Sequence, residues 1–312
     1  MRKMQNDKMK YRSDLKSVYF QIADHIMEVL LPVQIEIDRC LPSFVDFITQ
    51  EPFETAKISI QLELDSAPKS IGETKLLSDV SIVWGDRFRF EESSENYITS
   101  VQSEQKSREW KMFSTKDFSE SKIYILEEEL YTTSILSWLL MVAFGQAMLK
   151  YNTVLFHASV IEKDGKGYAF LGKSGTGKST HSRLWLKYIP DTKLLNDDNP
   201  AVRIMDNNVI MIYGTPWSGK TPCYKNVGVL LEGLVRLRQA PENHWKKVSG
   251  KEALLSVLPS CTAIRWNRNL FDQMLNSLEK IIASVYIGQL SCLPDEDAAR
   301  LCSQELTKNN KL

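Results

Sequence analysis

The feature that most restricts the fold of this 312-residue chain is a glycine-rich segment at residues 172–179, GKSGTGKS. It fits the pattern G-x-x-x-x-G-K-[ST] at every position, and the apolar stretch 168–171 before it predicts a strand. A helix is predicted from Lys178 to about Tyr188, ahead of Pro190. A strand, a glycine-rich loop and a helix in this order indicate an α/β domain whose loop binds phosphate groups.

Each residue type in the loop has a chemical reason. We expect Gly172, Gly175 and Gly177 to let the backbone adopt conformations that residues with side chains avoid, so that successive N–H groups point at phosphate oxygens. Lys178 supplies a compact charge for the outer phosphates, and the Ser179 hydroxyl is placed to ligate Mg²⁺. The residues predicted to bind the nucleoside triphosphate are Gly172, Ser174, Gly175, Thr176, Gly177, Lys178, Ser179 and Thr180.

An acidic pair, Asp197-Asp198, follows a short buried strand predicted at 193–196. A carboxylate there can hold Mg²⁺, directly or through water, or accept the proton of an attacking hydroxyl. Two adjacent acids could divide these tasks, because neighbouring side chains on an extended segment point apart. The alternative is a plain turn, since the sequence DDNP is also favourable turn chemistry. The phosphate-binding loop upstream favours the metal and proton-transfer roles.

His157 lies in a predicted strand at 154–162, which a tight turn at Asp164-Gly165 joins to the strand that enters the loop. A single histidine in an apolar strand is more often a core residue than a functional one. If the two strands pair as a hairpin, however, the imidazole can face the phosphates or the metal. A hairpin here also argues against a purely parallel sheet, in which helical crossovers join the strands.

The order of these segments resembles a known family. The loop at 172–180 is similar to the phosphate loop of ATP-dependent phosphoenolpyruvate carboxykinases, and 156–159, the loop and 196–198 follow one another as in those enzymes and in the HPr serine kinase/phosphorylases. The later segments 214–220 and 230–237 also resemble HPr-kinase-like proteins. The resemblance covers about 150–260, and nothing in residues 1–130 belongs to it.

The resemblance implies an ATP-dependent kinase with Mg²⁺, or Mn²⁺ in its place, as the metal. It places His157 at the active site together with Lys178, and it implies that Asp197 and Asp198 serve as metal ligand and general base, in an order that it leaves open. The implied metal ligands are Ser179, Asp197 and Asp198. The acceptor is a serine or another hydroxyl on a protein, peptide or small molecule.

The fold class that we predict is α/β, with a mixed, twisted sheet around the phosphate loop in residues 131–312. A β-rich accessory region of unknown role precedes it at 1–130. In that region, period-two alternation predicts strands at 58–64 and 80–84, with a hairpin turn at Gly85-Asp86. Residues 91–122 are rich in Ser, Glu and Lys, so we expect irregular structure there, followed by a strand at 121–126.

Four further elements are predicted outside the loop. The apolar stretch 135–149 is shorter than the roughly 20 residues that cross a bilayer, so we expect a buried core helix. Asn207-Asn208 indicates a hairpin, and the apolar run 229–237 is compatible with a strand or a helix. Capping-box spacing from Ser249 predicts a helix to about residue 258, and another helix is expected at 270–286.

Bulk composition excludes several classes of function. The 39 Lys and Arg residues balance 39 Asp and Glu residues, so no global field attracts nucleic acid or a membrane surface. The five cysteines are scattered without a CxxC pair, and with four histidines they form no zinc pattern. No apolar run of signal-peptide length follows the basic start, and a cytoplasmic location is expected. A homo-oligomer is compatible with these data.

Downstream residues offer secondary candidates, each with a plainer alternative. Lys220 could reach a phosphate or be an ordinary exposed lysine. Arg236 and Arg238 share one side of a strand if their segment is extended, where one could neutralise transition-state charge or both could be solvated. Trp217 could cover the site, although packing is the simpler role.

Two functions compete with the kinase. One is an ATPase or nucleotide-dependent switch without a dedicated acceptor. The other is a binding module that has lost catalysis and works through its β-rich first region.

Overall fold

The computed structural model describes residues 14–53, 55–68, 72–79, 88–102, 108–219 and 221–308. Within them the chain forms a mixed α/β structure with two mixed β-sheets. The predicted strand at 80–84, the turn at Gly85-Asp86 and Lys220 lie outside the described residues.

The first sheet collects the strands of residues 14–124. Its strands are β1 (Leu15–Ile22), β2 (His25–Pro32), β3 (Ile48–Thr49), β4 (Ile58–Glu63), β5 (Lys75–Ser78), β6 (Phe88–Glu92), β7 (Tyr97–Gln102), β8 (Glu109–Ser114) and β9 (Glu120–Tyr124). They lie in the order β3-β1-β2-β4-β9-β8-β7-β6-β5. Strand β4 is parallel to both β2 and β9, whereas the other neighbours are antiparallel.

The prediction of irregular structure at 91–122 is wrong, because this segment contains the antiparallel strands β7, β8 and part of β6 and β9. Strand β8 alternates strictly, with Trp110 and Met112 buried and polar neighbours between them. Strand β7 buries Thr99 and Ser100 completely. Composition alone gave the wrong prediction because a strand with one solvated face carries as many polar residues as a loop. Only the pairing of the strand with its neighbours distinguishes the two.

Two short helices lie between β2 and β3 of the first sheet, and the others lie between the two sheets in sequence. They are α1 (Ile37–Cys40), the 3₁₀ helix Pro42–Phe47, α2 (Glu127–Leu130), α3 (Ile135–Ala147) and the 3₁₀ helix Met148–Tyr151. Helix α3 is 13 residues long and buried around most of its circumference, as expected of a core helix. Among the described residues, no helix combines the length and apolarity that a membrane crossing requires. The completely buried Gln146 side chain anchors α3 by accepting from Ile264 N at 3.1 Å.

The second sheet carries the glycine-rich loop. Its strands are β10 (Thr153–Leu155), β11 (Ala158–Lys163), β12 (Lys166–Leu171), β13 (Thr192–Asn196), β14 (Ala201–Ile204), β15 (Ile210–Tyr213), β16 (Gly228–Gln239), β17 (His244–Lys247) and β18 (Tyr286–Cys292). The path is β10-β14-β15-β16-β12-β11-β13, with β18 also paired to β16 and β17 to β18. Strand β16 is parallel to β12 and β18, so the sheet is mixed, as the predicted hairpin required.

The described residues of this half form the helices α4 (Lys178–Tyr188), α5 (Gly250–Val257), α6 (Arg268–Ser284) and α7 (Glu296–Thr307), and a 3₁₀ helix, Leu258–Ser260, follows α5. The ambiguous run at 229–237 is a strand. The helix predicted at 270–286 ends at Ser284, and Tyr286 already pairs in β18. Ser249 precedes α5 without a side-chain cap, and Glu252, the other half of the predicted capping box, pairs with Lys246 at 2.6 Å.

The core of the second sheet has two sides. On β12, Ala169 and Leu171 face a large apolar cluster that is continuous with the first sheet and α3, whereas Tyr168 and Phe170 face a smaller cluster under α4 and α7. Burial on both sides explains the uninterrupted apolar sequence of this strand. Between the halves, the buried His25 side chain on β2 is bonded to Thr153 Oγ1 on β10 at 2.8 Å.

Candidate functional site

The glycine-rich loop leaves the end of β12 and enters α4 at Lys178, as the sequence predicts. Gly175 has a φ of 79°, and Gly177, the residue that caps α4, has a φ of 103°. Side chains strongly disfavour both conformations, which accounts for these two glycines. Gly172 is different, because its φ is not positive; a Cβ there would approach the Thr176 side chain to 3.0 Å. Gly172 therefore does not adopt the left-handed conformation expected of it, and a side chain at this position would crowd Thr176.

Bonds within the loop hold its shape. Lys173 O accepts from Thr176 N at 3.1 Å and from Thr176 Oγ1 at 2.7 Å. Gln239 Nε2, at the end of β16, the strand that pairs with β12, donates to Gly175 O at 3.3 Å. Ser174 and Lys173 are exposed, whereas Ser179 and Thr180 are half-buried in the first turn of α4. The loop is thus pre-shaped at the positive N-terminal end of a helix, which suits phosphate oxygens.

His157 lies in a break between two strands rather than within one. The strand predicted at 154–162 divides into β10 and β11, since Phe156 bridges to Cys261 and His157 N donates to Ser260 O at 2.7 Å. Ala158 N then donates to Asp198 O at 2.9 Å. The backbone turns away from its regular ladder at this point, and the imidazole thereby reaches Lys178.

Lys178, His157 and Asp198 form one chain of contacts at the end of the loop. Lys178 is 8% exposed, and its Nζ donates to Gly172 O at 3.1 Å and contacts His157 Nε2 at 3.0 Å. His157 Nε2 also lies 3.4 Å from Asp198 Oδ1. One ring nitrogen cannot accept from Lys178 and donate to Asp198 simultaneously. We assign the hydrogen bond to Lys178, the closer group and an obligatory donor.

Electrostatics agree with a neutral imidazole. Burial, followed by the positive charges of Lys178 and Arg236, lowers the pKa of His157 to about 4. Burial also lowers the pKa of Lys178, although Asp198 and Asp197 oppose that shift. For Asp198, burial raises the pKa to about 6 against the attraction of Lys178. A half-buried carboxyl whose pKa is displaced toward neutrality beside a buried lysine is typical of functional sites.

The two aspartates have different environments. Asp198 Oδ2 accepts from Asn199 Nδ2 at 2.7 Å. Asp197 is 5% exposed, and neither of its carboxylate oxygens has a hydrogen-bond partner among the described residues. A buried carboxylate is costly unless a cation or donors compensate it. Asp197 therefore has the character of a cation ligand, whereas Asp198 belongs to the chain of contacts with His157.

A buried asparagine that the sequence did not single out orients this pair. Asn196 is fully buried; its Oδ1 accepts from Asp198 N at 3.1 Å, and its Nδ2 donates to Thr215 O at 3.2 Å. Thr215 Oγ1 in turn donates to Asn199 O at 2.7 Å. The segment 214–219 thus clamps the turn that carries both aspartates. The only signal in sequence was the position of Asn196, directly before the acidic pair.

The groups that could hold a metal are few. Within the described part of the chain, no three side chains of His, Cys, Asp and Glu are grouped for ligation. Mg²⁺ commonly takes one or two carboxylates and completes its shell with phosphate oxygens and water. The unpartnered oxygens of Asp197 and the hydroxyl of Ser179 fit that donor chemistry, because they are hard oxygens beside the loop.

The secondary candidate residues lie in different environments. Arg236 pairs in register with Leu171, directly before the loop, and its Nη1 donates to Ser260 Oγ at 3.3 Å. Its charge acts on both Lys178 and His157, so it belongs to the site. Arg238 is exposed. Trp217 is 4% exposed and packs edge-on against Phe44, which bears out the packing role.

One cavity borders the loop, and a second cavity borders Asp198. The apolar cavity, of about 540 Å³, is lined by residues 175–177, parts of 180–184 and 237–240, and residues 292–294. The polar cavity, of about 510 Å³, is lined by residues 39–43, parts of 130–141, and residues 198–199, 216–218 and 224. Sequence reasoning missed both, because their walls come from segments far apart in the chain.

Comparison with known proteins adds nothing to this description. No family model matches the chain, and no curated protein matches it. The assignment of function therefore rests on the residues and geometry described above.

Proposed function

We propose that the protein is an ATP-dependent phosphotransferase with a P-loop kinase fold of the carboxykinase and HPr-kinase type. The observation that carries the proposal is the contact chain at the end of the glycine-rich loop: Lys178 joins the loop carbonyl of Gly172 to His157, with Asp198 beside the histidine. A phosphate-binding loop alone is compatible with many nucleotide-binding proteins. A buried lysine, an imidazole and a carboxyl converging on it supply the groups that phosphoryl transfer needs.

The apolar cavity is the proposed site of the base and ribose. It begins at Gly175 and Thr180 of the loop and continues between Leu184, Leu237 and Leu293. Its volume lies in the range of roughly 300–1,000 Å³ that small-molecule sites occupy. A nucleoside here would lie over apolar side chains while its phosphates follow the loop toward Lys178.

The loop and its neighbours would orient the phosphates. Backbone N–H groups at the start of α4 point at the anion, and Lys178 adds a full charge that burial keeps largely unscreened. Arg236 adds a second positive charge from β16, the strand that pairs with β12. Arg238, two residues further along β16, is exposed to solvent. Asp197 and Ser179 would hold Mg²⁺, which, when bound, neutralises charge on the phosphate oxygens.

Asp198 is the proposed proton acceptor. It borders the polar cavity, whereas Asp197 does not, so an acceptor hydroxyl in that cavity can reach it. His157 accepts from Lys178 and limits the positions that the lysine can adopt. For the two roles that the sequence left open, we therefore propose Asp197 for the metal and Asp198 for the proton.

The direct test is calorimetric titration with a non-hydrolysable ATP analogue, with and without Mg²⁺, followed by incubation with γ-labelled ATP. Binding that needs Mg²⁺ and turnover of the label are expected. Lys178→Met should weaken binding and lower turnover by roughly 10²- to 10³-fold, while Lys173→Met, at an exposed lysine of the same loop, should change neither. A wild-type chain that binds no nucleotide in either condition would overturn the proposal.

A further inference from the structure

The polar cavity joins the two halves of the molecule at the proposed catalytic residue. One wall is formed by Asp198, Asn199 and Trp217, and the opposite wall by residues 39–43 and by parts of 130–141. Its volume, about 510 Å³, is suited to a small ligand or to a few residues of a peptide. The proposed nucleotide site uses none of the residues of the second wall.

Buried contacts fix both walls. Trp217 Nε1 donates to Ser137 O of α3 at 3.0 Å, and the Trp217 ring packs against Phe44 and Phe144. Leu41 and Leu130, each 1% exposed, lie beneath the second wall. The cavity is therefore preformed by the packing of the first half against the second, rather than by one surface loop.

Hydroxyl-bearing and aromatic side chains contribute much of the lining, beside apolar residues such as Leu41 and Met141. Ser43, Thr133, Ser134 and Ser137 contribute hydroxyl groups, and Trp138 contributes an aromatic surface. Among the described lining residues, Arg39 and Asp198 carry the charges. Arg39 is already engaged, because its Nη1 donates to Glu36 at 2.8 Å and its guanidinium lies over the Tyr131 ring. An acidic ligand would thus lose hydration without finding a free positive charge, and a basic ligand would pair with Asp198, the proposed proton acceptor.

We propose that this cavity is the acceptor site and that it takes an uncharged alcohol, so that the first half of the chain supplies acceptor specificity. This inference rests on the proposed function. In the reaction, the alcohol oxygen bonds to the γ-phosphorus as the bond from that phosphorus to the β–γ bridging oxygen breaks. The alcohol proton passes to Asp198, and the products are ADP and a phosphate monoester.

The test uses the full chain, Mg²⁺ and γ-labelled ATP with two sets of uncharged probes. One set holds N-acetylated, C-amidated tripeptides with a single serine, and the other holds neutral polyols. A labelled ester is expected from one set, which identifies the source of the alcohol. Adding an aspartate next to the serine, or a carboxylate to the polyol, should lower transfer by roughly tenfold.

Two variants fill the cavity from different segments, Ser134→Trp and Ser43→Trp. Each should lower transfer to the probe by at least about tenfold while the affinity for ATP, which also reports folding, is retained. Ser66→Trp, at an exposed position outside both cavities, is the matched control and should leave transfer unchanged. Transfer undiminished in both cavity variants would overturn the inference.

The remaining outcomes separate this inference from the proposed function. Hydrolysis of ATP with no labelled ester from either set would overturn the acceptor site and leave the nucleotide site standing. Preference for the charged probes would overturn the assignment of an uncharged acceptor. Failure of the wild-type chain to bind ATP with Mg²⁺ would overturn both.

Discussion

The apolar and polar cavities have nearly equal volumes, about 540 and 510 Å³, yet they are built differently. The apolar cavity uses only residues between 175 and 294, whereas the polar cavity needs residues 39–43 and 130–141 as well. In the proposed function, recognition of the nucleotide is therefore confined to the second half of the chain. Recognition of the acceptor would depend on how the two halves pack, with Asp198 in the wall of the polar cavity.

The largest effect on phosphoryl transfer is expected at Asp198, which lines the polar cavity and not the apolar one. Asp198→Asn keeps the shape but removes the proton acceptor, so phosphoryl transfer should fall roughly 10²- to 10⁴-fold. The affinity for ATP should stay within about threefold of the wild-type value, because the proposed nucleotide site does not include this carboxyl. Transfer is followed with γ-labelled ATP, and affinity by titration.

Asp191→Asn provides the control, since Asp191 is exposed and has a φ of 57°, which asparagine tolerates. It should match the wild type in both assays. Equal loss of ATP affinity and transfer in Asp198→Asn would mean that Asp198 belongs to the nucleotide site.

A second large effect is expected at Lys178, which contacts both the glycine-rich loop and His157. Lys178→Met removes the charge that faces the phosphates, and transfer should fall roughly 10²- to 10³-fold, with weaker ATP binding. Both phosphoryl transfer and ATP affinity should fall, because Lys178 contacts Gly172 O and His157 simultaneously. Steady-state kinetics and titration measure the two quantities. Retention of wild-type ATP affinity would contradict the role of Lys178 at the phosphates.

The apolar cavity alone is tested by Ala240→Trp. The larger side chain should occupy the space proposed for the nucleoside and weaken ATP binding by about 1–3 kcal/mol, or roughly 5- to 150-fold. Binding of inorganic tripolyphosphate, which has no base, should be unchanged in the same titration. Ala283→Trp, exposed on α6 and outside both cavities, is the control. Equal weakening for both ligands would place the nucleoside elsewhere.

The smallest expected effect concerns the packing of the first sheet against the second, where His25 on β2 bonds to Thr153 on β10. Burial, followed by the charge of Arg203, lowers the pKa of His25 from 6.5 to about 3. The folded state therefore favours the neutral ring, and the stability from this ring is complete above pH 6.5. It is lost progressively as the pH falls toward the folded pKa, by about 2 kcal/mol between pH 6.5 and 5.

Urea unfolding of the wild type and His25→Gln across this pH range isolates the contribution. The variant should lose less stability on acidification, and the difference between the two slopes excludes His157 and His181, whose pKa values burial also lowers to about 4. Identical slopes would show that His25 does not couple the first sheet to the second through Thr153.

Much of the second half could be read from local sequence. The loop, the helix from Lys178 to Tyr188, the hairpin at Asp164-Gly165 and the strand before Asp197 all have the predicted positions. These features depend on glycine conformation, turn chemistry and side-chain periodicity, which act over a few residues. The first half was harder, because half-solvated strands such as β8 have the composition of loops.

What the sequence by itself determined was the chemistry of the loop and the presence of a histidine and two acids around it. Only the tertiary structure decided that His157 lies in a break between β10 and β11, that Asp197 is buried without a hydrogen-bond partner, and that Arg236 is paired opposite Leu171. Only the tertiary structure, too, brought residues 39–43 to face Asp198. Local patterns reflect short-range backbone preferences, whereas such contacts arise from the burial of apolar surface between segments far apart in the chain.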